Sequence, residues 1–248
     1  MLNRSDAVDE VDPDLRQDLV DANHILFNEG VVDAFGHVSV RHDKRPDRFV
    51  LARNMAPALV TADDLIEFDL DGASQNGDTR RVYLERFIHG EIYRARPDVM
   101  AVVHSHSRSV IPFGVVKDVV MRPIFHMCGF LGNGARVFEI RETAGDASDL
   151  LIRSNVLGAA LARSLANDNV ILMRGHGSTT VAPTLKLVVY RAIYTEQNAR
   201  LLADALRLGR VEHLTAGEAE ASMNVIEGQV ERPWSLWKAA ARAAAGRR

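Results

Sequence analysis

The sequence predicts a single α/β domain in which helices cover a central β-sheet. Short apolar runs rich in β-branched residues, typical of buried strands, alternate with longer segments whose apolar residues recur at helical spacing. The chain has 248 residues, of which 47% are hydrophobic, enough to bury a substantial core. No repeat or low-complexity linker marks a boundary. We therefore predict one domain over residues 1–248, with flexible ends at 1–13 and 239–248.

The predicted elements begin and end at local signals. Gly30 ends the first helix, Thr61 caps a short turn, Asp71-Gly72 makes a tight turn, and Pro183 precedes the last long helix. We expect, in order, a helix over residues 14–29, strands over 38–41, 49–52 and 66–70, a helix over 84–93, a strand over 99–103, a helix over 154–165, a strand over 170–173 and a helix over 185–208.

The segment Ala-Val-Val-His104-Ser-His106 is the most informative stretch of the chain. Residues two apart on a strand face the same way, so this spacing offers both imidazoles to one divalent metal. Neutral imidazole is the commonest metal ligand in proteins. The alternative is a pair of surface or hydrogen-bonded histidines, and other residues must decide between the two readings.

Two further positions favour a metal site. His176 follows an apolar strand and lies in a Gly-His-Gly turn, whose glycines allow the backbone to approach a ligand closely. Glu85 opens a segment with helical spacing, so its carboxylate would project from the first turn of a helix. Charge complementation of the helix N-terminus is the simpler explanation for Glu85 alone.

Three histidines and a carboxylate suit Zn²⁺ or Mn²⁺, and Fe²⁺ is also compatible with this donor set. Three protein nitrogens would leave positions free for substrate or water, which indicates catalysis rather than a structural site. His89 is a rival ligand because it lies four residues after Glu85, on the same helical face. We rank it below the other three histidines.

At this point the chain resembles the class II aldolase and adducin head family. The matching motifs, in the family's order, are Phe35-Gly-His-Val-Ser-Val-Arg41, Glu85 with its helix, His104-Ser-His106 and Arg174-Gly-His-Gly177. The resemblance covers about residues 14–208 and implies a class II aldolase-like fold with a mainly antiparallel sheet. It implies one divalent metal per chain held by His104, His106 and His176, with Glu85 as the acid/base residue. It further implies a homotetramer with active sites at subunit interfaces.

Departures from the sugar-phosphate aldolases of this family predict a different substrate. The small polar residues with which those aldolases bind phosphate are replaced at three places, by His37, Arg53-Asn-Met55 and Tyr83-Leu84. Larger side chains favour a flat carboxylate over a phosphorylated sugar, unless they simply pack beneath the site. The candidates for binding a substrate carboxylate are His37, Arg53 and His126.

Further matches resemble a branch that contains decarboxylases of hydroxylated aromatic or pyridine dicarboxylates. They lie in residues 83–91, 107–114 and 122–132. The resemblance implies a lyase in which the metal stabilises a phenolate or enolate oxygen and Glu85 transfers the proton that replaces carbon dioxide. Three alternatives remain: an aldolase acting on a non-phosphorylated or carboxylated hydroxy-carbonyl compound, a non-heme iron oxygenase, and a non-catalytic binding module like the adducin head.

Composition favours a small molecule as the partner. The net charge is only −3 and charges of both signs are interspersed, which argues against nucleic acid. The single cysteine, Cys128, excludes an intrachain disulfide. Because neither a signal segment nor a long apolar run is seen, we expect a cytoplasmic protein with no membrane association. Trp234 and Trp237 are expected to fasten the tail to the body or to a neighbouring subunit.

Overall fold

The computed structural model describes residues 10–246, which form a seven-stranded sheet covered by helices. The strands are β1 (His37–Arg41), β2 (Arg48–Ala52), β3 (Leu65–Asp69), β4 (Ala101–Ser105), β5 (Arg136–Phe138), β6 (Val170–Met173) and β7 (Gly177–Ala182). Their order across the sheet is β3-β2-β1-β4-β7-β6-β5, and every neighbouring pair is antiparallel except β5 and β6. The expected α/β fold with a central, mainly antiparallel sheet is confirmed.

Helices cover the sheet and pack against one another. They are α1 (Pro13–Asn28), α2 (Arg86–Ala95), α3 (Ile111–Val115), α4 (Arg141–Ala144), α5 (Asn155–Leu165), α6 (Leu185–Leu208), α7 (Ala216–Ile226) and α8 (Glu231–Ala245). Asp12, Ser154 and Thr184 cap α1, α5 and α6 by accepting hydrogen bonds from first-turn amides. The helices predicted to begin near these residues are therefore confirmed within one or two positions.

The sheet register places the candidate site at one end of the central strands β1, β4 and β7. His37, the first residue of β1, pairs with His104 near the end of β4, and Ser105 pairs with Ser178 near the start of β7. Because neighbouring strands run in opposite directions, the beginnings of β1 and β7 meet the end of β4. Polar side chains from these three strands and their turns therefore lie close together at this end of the sheet.

The C-terminal segment differs from the expectation of a flexible end. Helix α8 extends to Ala245 and packs against α1. Trp234 and Trp237 are buried in this chain, as is Ala241. The Arg242 guanidinium donates to both oxygens of the buried Asp21 carboxylate, at 3.1 and 2.8 Å. The sequence could not show this packing of 239–245, because the contact joins residues more than two hundred positions apart.

The chain ends lie partly outside the described residues. The structure does not describe residues 1–9 and 247–248. These include most of the predicted N-terminal flexible end and the last two positions of the tail. Within residues 10–246, no helix is both long and apolar enough to cross a membrane.

Candidate metal centre and active site

The two histidines of His104-Ser-His106 meet at the end of β4. His104 is buried within the strand, and His106 follows directly after it and is partly exposed. Their Nε2 atoms are 3.1 Å apart. The alternation of a strand thus brings both imidazoles to one point, as the spacing predicted.

His176 reaches the same point from the turn between β6 and β7. Gly175 has a φ of 67°, in the left-handed region that favours glycine. A Cβ at Gly177 would collide with the carbonyl of Ser105, so only glycine allows this close approach of the turn to β4. Nε2 of His176 lies 2.9 Å from Nε2 of His106.

Glu85 completes the cluster from the N-cap position of α2. Its side chain makes no capping hydrogen bond. Instead, Oε2 lies 3.6 Å from Nε2 of His104 and 3.4 Å from Nε2 of His176. Oε1 accepts a hydrogen bond from the amide of Ile152 at 2.9 Å. The carboxylate therefore contacts the histidines rather than the first-turn amides of its own helix. We call Glu85, His104, His106 and His176 the tetrad.

The donor atoms of the tetrad fit a divalent transition metal. The Nδ1 atoms of His104 and His176 donate to the carbonyls of Ser178 and Leu150, at 3.1 and 2.9 Å. A neutral imidazole in this tautomer carries its lone pair on Nε2. These lone pairs point towards one another, and one ligand atom from each tetrad residue lies within 4.8 Å of the others. Convergent lone pairs repel unless a cation lies between them, so the cluster can hold a metal ion.

The electrostatics of the tetrad support an ionised Glu85 among mostly neutral histidines. Burial alone would raise the pKa of Glu85, but His104, His176 and the Ile152 amide lower it to about 2. Burial lowers the pKa of His104 well below its ordinary value and also lowers that of His106. For His176 the effect of burial is outweighed by the Glu85 carboxylate, which raises its pKa.

A cavity of about 360 Å³ lies beside the tetrad, and Glu85 and His106 form part of its wall. Most of the remaining wall is apolar, and three side chains offer polar groups or charge. The apolar lining includes Phe35, Met55, Leu84 and Leu151; the polar side chains are His37, Asn54 and Arg81, and Tyr83 adds an aromatic ring. The Tyr83 hydroxyl donates its hydrogen to the carbonyl of Met55.

The predicted substrate residues do not all reach this cavity. His37 does, and its ring lies 4.7 Å from that of Tyr83. Arg53 does not line it, because its guanidinium donates to the Asp64 carboxylate at 2.7 Å. His126 is exposed at the start of a short 3₁₀ helix and also lies outside the lining. Arg53 and His126 therefore lie outside the cavity that this chain forms, and a role for them in substrate binding stays a prediction.

Sequence reasoning missed Arg81 and Asn54, which line the cavity instead. Both lie in loops with no periodic pattern, and the amide of Asn54 donates to the carbonyl of Arg81 at 2.8 Å. His89, the rival ligand, lies behind His37, where its two ring nitrogens contact His37 and Ser39 rather than the tetrad. It is therefore not among the clustered ligand atoms.

The model of the family described as "Class II Aldolase and Adducin N-terminal domain" matches residues 17–203 of this chain. This chain belongs to that family. The decarboxylase tropJ of Talaromyces stipitatus is 39% identical to it, over 86% of this chain and 89% of that protein. The 3,4-dihydroxyphthalate decarboxylase of Arthrobacter keyseri is 29% identical, over 75% of this chain and 76% of that protein.

A solved structure supports the fold assignment. The L-fuculose 1-phosphate aldolase from Glaciozyma antarctica matches with a TM-score of 0.74 at 24% identity, covering 94% of this chain and 90% of that one. At this identity the match establishes a shared fold and nothing finer. The proteins similar to this chain are thus named both as decarboxylases and as aldolases. The residues of the site are needed to decide which reaction to propose.

Proposed function

We propose that this protein is a divalent-metal-dependent carboxy-lyase that removes carbon dioxide from a hydroxylated aromatic or pyridine dicarboxylate. The observation that carries the proposal is the tetrad beside a mainly apolar cavity lined by His37 and Arg81. A flat ring suits the apolar walls, and carboxylates suit a guanidinium and an imidazole. The names of the two decarboxylase relatives support the same reaction class.

His104, His106 and His176 would hold the metal, with Glu85 beside it. When bound, a divalent metal supplies Lewis-acid stabilisation of negative charge on an oxygen next to the bond that breaks. The chain itself fixes the ligand orientation, because the Ser178 and Leu150 carbonyls hold the rings of His104 and His176.

We assign proton transfer to Glu85. With its pKa lowered to about 2, its carboxylate is ionised near neutral pH, so it must accept a proton before it can donate one. It first takes the proton of the substrate's ring hydroxyl and then gives it to the ring carbon that bears the carboxylate. The electron pair of the breaking carbon–carbon bond restores the aromatic ring as carbon dioxide leaves. Solvent returns one proton to the ring oxygen, which completes the balance.

An aldolase acting on a non-phosphorylated substrate is the second candidate. The same tetrad would serve it, because aldol cleavage also leaves an electron pair that must be stabilised on an oxygen. The fold shared with a solved aldolase keeps this possibility open. The cavity wall favours the decarboxylase, since its apolar side chains offer few partners for the hydroxyls of a sugar.

The deciding experiment measures metal content and product together. The purified protein, a His104→Ala/His106→Ala variant and a His126→Ala control are analysed for bound metal. Each is then tested for carbon dioxide release from 3,4-dihydroxyphthalate and from hydroxypyridine dicarboxylates. We expect about one metal ion per chain and carbon dioxide release in the wild type and the control, and neither in the double variant.

Other outcomes would contradict the proposal. Metal without carbon dioxide but with an aldehyde product from hydroxy-carbonyl compounds would establish the aldolase. Oxygen consumption would indicate an oxygenase, and absence of metal would favour a binding module. Light scattering of the same samples would check the predicted homotetramer.

A further inference from the structure

Four polar side chains lie in a row behind the cavity and are almost completely buried. His37 Nδ1 is 2.7 Å from His89 Nε2, and His89 Nδ1 is 2.6 Å from the Ser39 hydroxyl oxygen. That oxygen is 2.7 Å from the Tyr93 hydroxyl. None of the four is more than 4% exposed. We call this series of side chains the relay.

The direction of the relay follows from its far end. Among the described residues, Ser39 Oγ is the one acceptor within hydrogen-bond distance of the Tyr93 hydroxyl. A buried hydroxyl hydrogen without an acceptor is costly. Tyr93 therefore donates to Ser39.

The donor and acceptor roles of Ser39, His89 and His37 then follow in that order. Because Ser39 accepts from Tyr93, its own hydrogen goes to Nδ1 of His89. His89 must then carry its hydrogen on Nε2 and donate it to Nδ1 of His37. Burial lowers the pKa of His89 to about 3, in agreement with a neutral ring. The reverse order would leave the Tyr93 hydrogen without a partner.

We propose that the relay fixes His37 as a hydrogen-bond donor whose Nε2–H group binds an anionic oxygen in the cavity. Nε2 makes no hydrogen bond within residues 10–246, and His37 lines the cavity beside Glu85. His89, Ser39 and Tyr93 are accordingly positioning residues, since they act through His37. That the oxygen belongs to a substrate carboxylate rests on the proposed function; the direction of the relay does not.

The tautomers provide a direct test. Protein labelled with ¹⁵N-histidine is examined by long-range ¹H–¹⁵N correlation, and the His37 and His89 signals are assigned through His37→Phe and His89→Phe variants. We expect both rings to carry hydrogen on Nε2 in the wild type. Hydrogen on Nδ1 of His37 would overturn the proposal, whether or not the protein releases carbon dioxide.

A pair of tyrosine variants then tests the origin of the direction. Tyr93→Phe removes the first donor, whereas Tyr190→Phe removes another buried hydroxyl, one that donates to the Met127 carbonyl at 2.8 Å. We expect Tyr93→Phe to give mixed tautomers in both rings and to weaken binding of phthalate, a dicarboxylate probe, in proportion to the fraction of His37 that loses its Nε2 hydrogen, about two-fold for an equal mixture. Tyr190→Phe should change neither. Unchanged tautomers in Tyr93→Phe would contradict the relay.

Conservative replacement of Ser39 separates positioning from loss of fold. Ser39→Thr keeps the hydroxyl and should retain the wild-type tautomers and phthalate affinity. Ser39→Ala removes the donor to His89 and should behave like Tyr93→Phe. Metal content should stay at the wild-type level in both, because no relay residue belongs to the tetrad. Equal behaviour of the two Ser39 variants would overturn the proposal.

Discussion

The two ends of strands β1 and β4 both bury polar groups, but they satisfy them differently. At one end, Arg41 is only 5% exposed. Its guanidinium donates at 2.6 to 3.0 Å to four carbonyls, those of Pro46, Tyr93, Arg96 and Val99. A buried guanidinium with four carbonyl acceptors has its hydrogen bonds satisfied by the protein itself, so we assign Arg41 a structural role.

At the other end, the tetrad brings one ligand atom from each of its four residues within 4.8 Å of the others. The Nε2 atom of His106 lies within about 3 Å of two other Nε2 atoms, and their rings are held in place by backbone carbonyls. Protein groups satisfy the Arg41 end, whereas the other end holds a cluster of ligand atoms that can bind a metal ion. The difference supports the proposal that the site end binds a divalent cation.

Removal of a ligand should give the largest effect. In His106→Leu, we expect metal content to fall to background and kcat/KM to fall by at least about a thousand-fold. The metal-free variant should unfold within about 0.5 kcal/mol of metal-free wild type, because the His106 side chain makes no hydrogen bond outside the tetrad within residues 10–246. Metal analysis, turnover and urea titration check the three parts, with His126→Leu as the matched control.

Glu85→Gln should separate metal binding from proton transfer. The amide oxygen of glutamine can still accept from the Ile152 amide, so the side chain should keep its place. We expect metal content near one ion per chain and turnover reduced about a hundred- to thousand-fold. Turnover within a factor of two of wild type would remove Glu85 from proton transfer.

Arg41→Ala should affect the opposite end alone. It leaves four carbonyls without their donor, and we expect the free energy of unfolding to fall by about 3 kcal/mol. Metal content and kcat should not change in the folded fraction. Urea titration measures the loss, and Arg207→Ala, an exposed arginine, is the control. A loss of metal in Arg41→Ala would show that the two ends are coupled.

Much of the site could be predicted because its signals are local. His104 and His106 follow a β-branched run, and His176 lies between glycines, so their sequence contexts mark these histidines as candidate ligands. Helix α6 was predicted at its observed bounds from the break at Pro183, and in the structure Thr184 caps it and Gly209 follows its last residue. The role of Glu85 needed the family resemblance, since an acidic residue at a helix start has a simpler explanation.

The remainder depends on contacts between distant segments. Helix α8 buries Trp234, Trp237 and Ala241 at helical spacing on one face, but the Arg242–Asp21 ion pair that holds its end joins distant segments. Arg53 pairs with Asp64, whereas Arg81 lines the cavity. These pairings of charged side chains leave no pattern in the sequence.

Acid should weaken the site end through Glu85. Its pKa in the folded, metal-free protein is about 2, against an ordinary value of 4.5, so its contribution to stability is complete above about pH 5 and is lost as the pH falls towards 2. The neutral amide of the Glu85→Gln variant makes no such contribution. We therefore expect the stability difference between metal-free wild type and this variant to shrink as the pH falls from 5 to 3. Urea titrations at several pH values test this, and a constant difference would contradict it.

The smallest effect should distinguish two arginines at the site end. Arg53 is held by Asp64, as Arg41 is held by its carbonyls, whereas the guanidinium of Arg81 contacts no acidic or carbonyl partner among residues 10–246 and lines the cavity. We expect Arg81→Ala to raise KM about ten-fold for a dicarboxylate with little change in kcat, because a uniform binding contact is lost. Arg53→Ala should leave KM within about two-fold. The reverse ranking would return substrate binding to Arg53 and would show that the loops rearrange when the substrate binds.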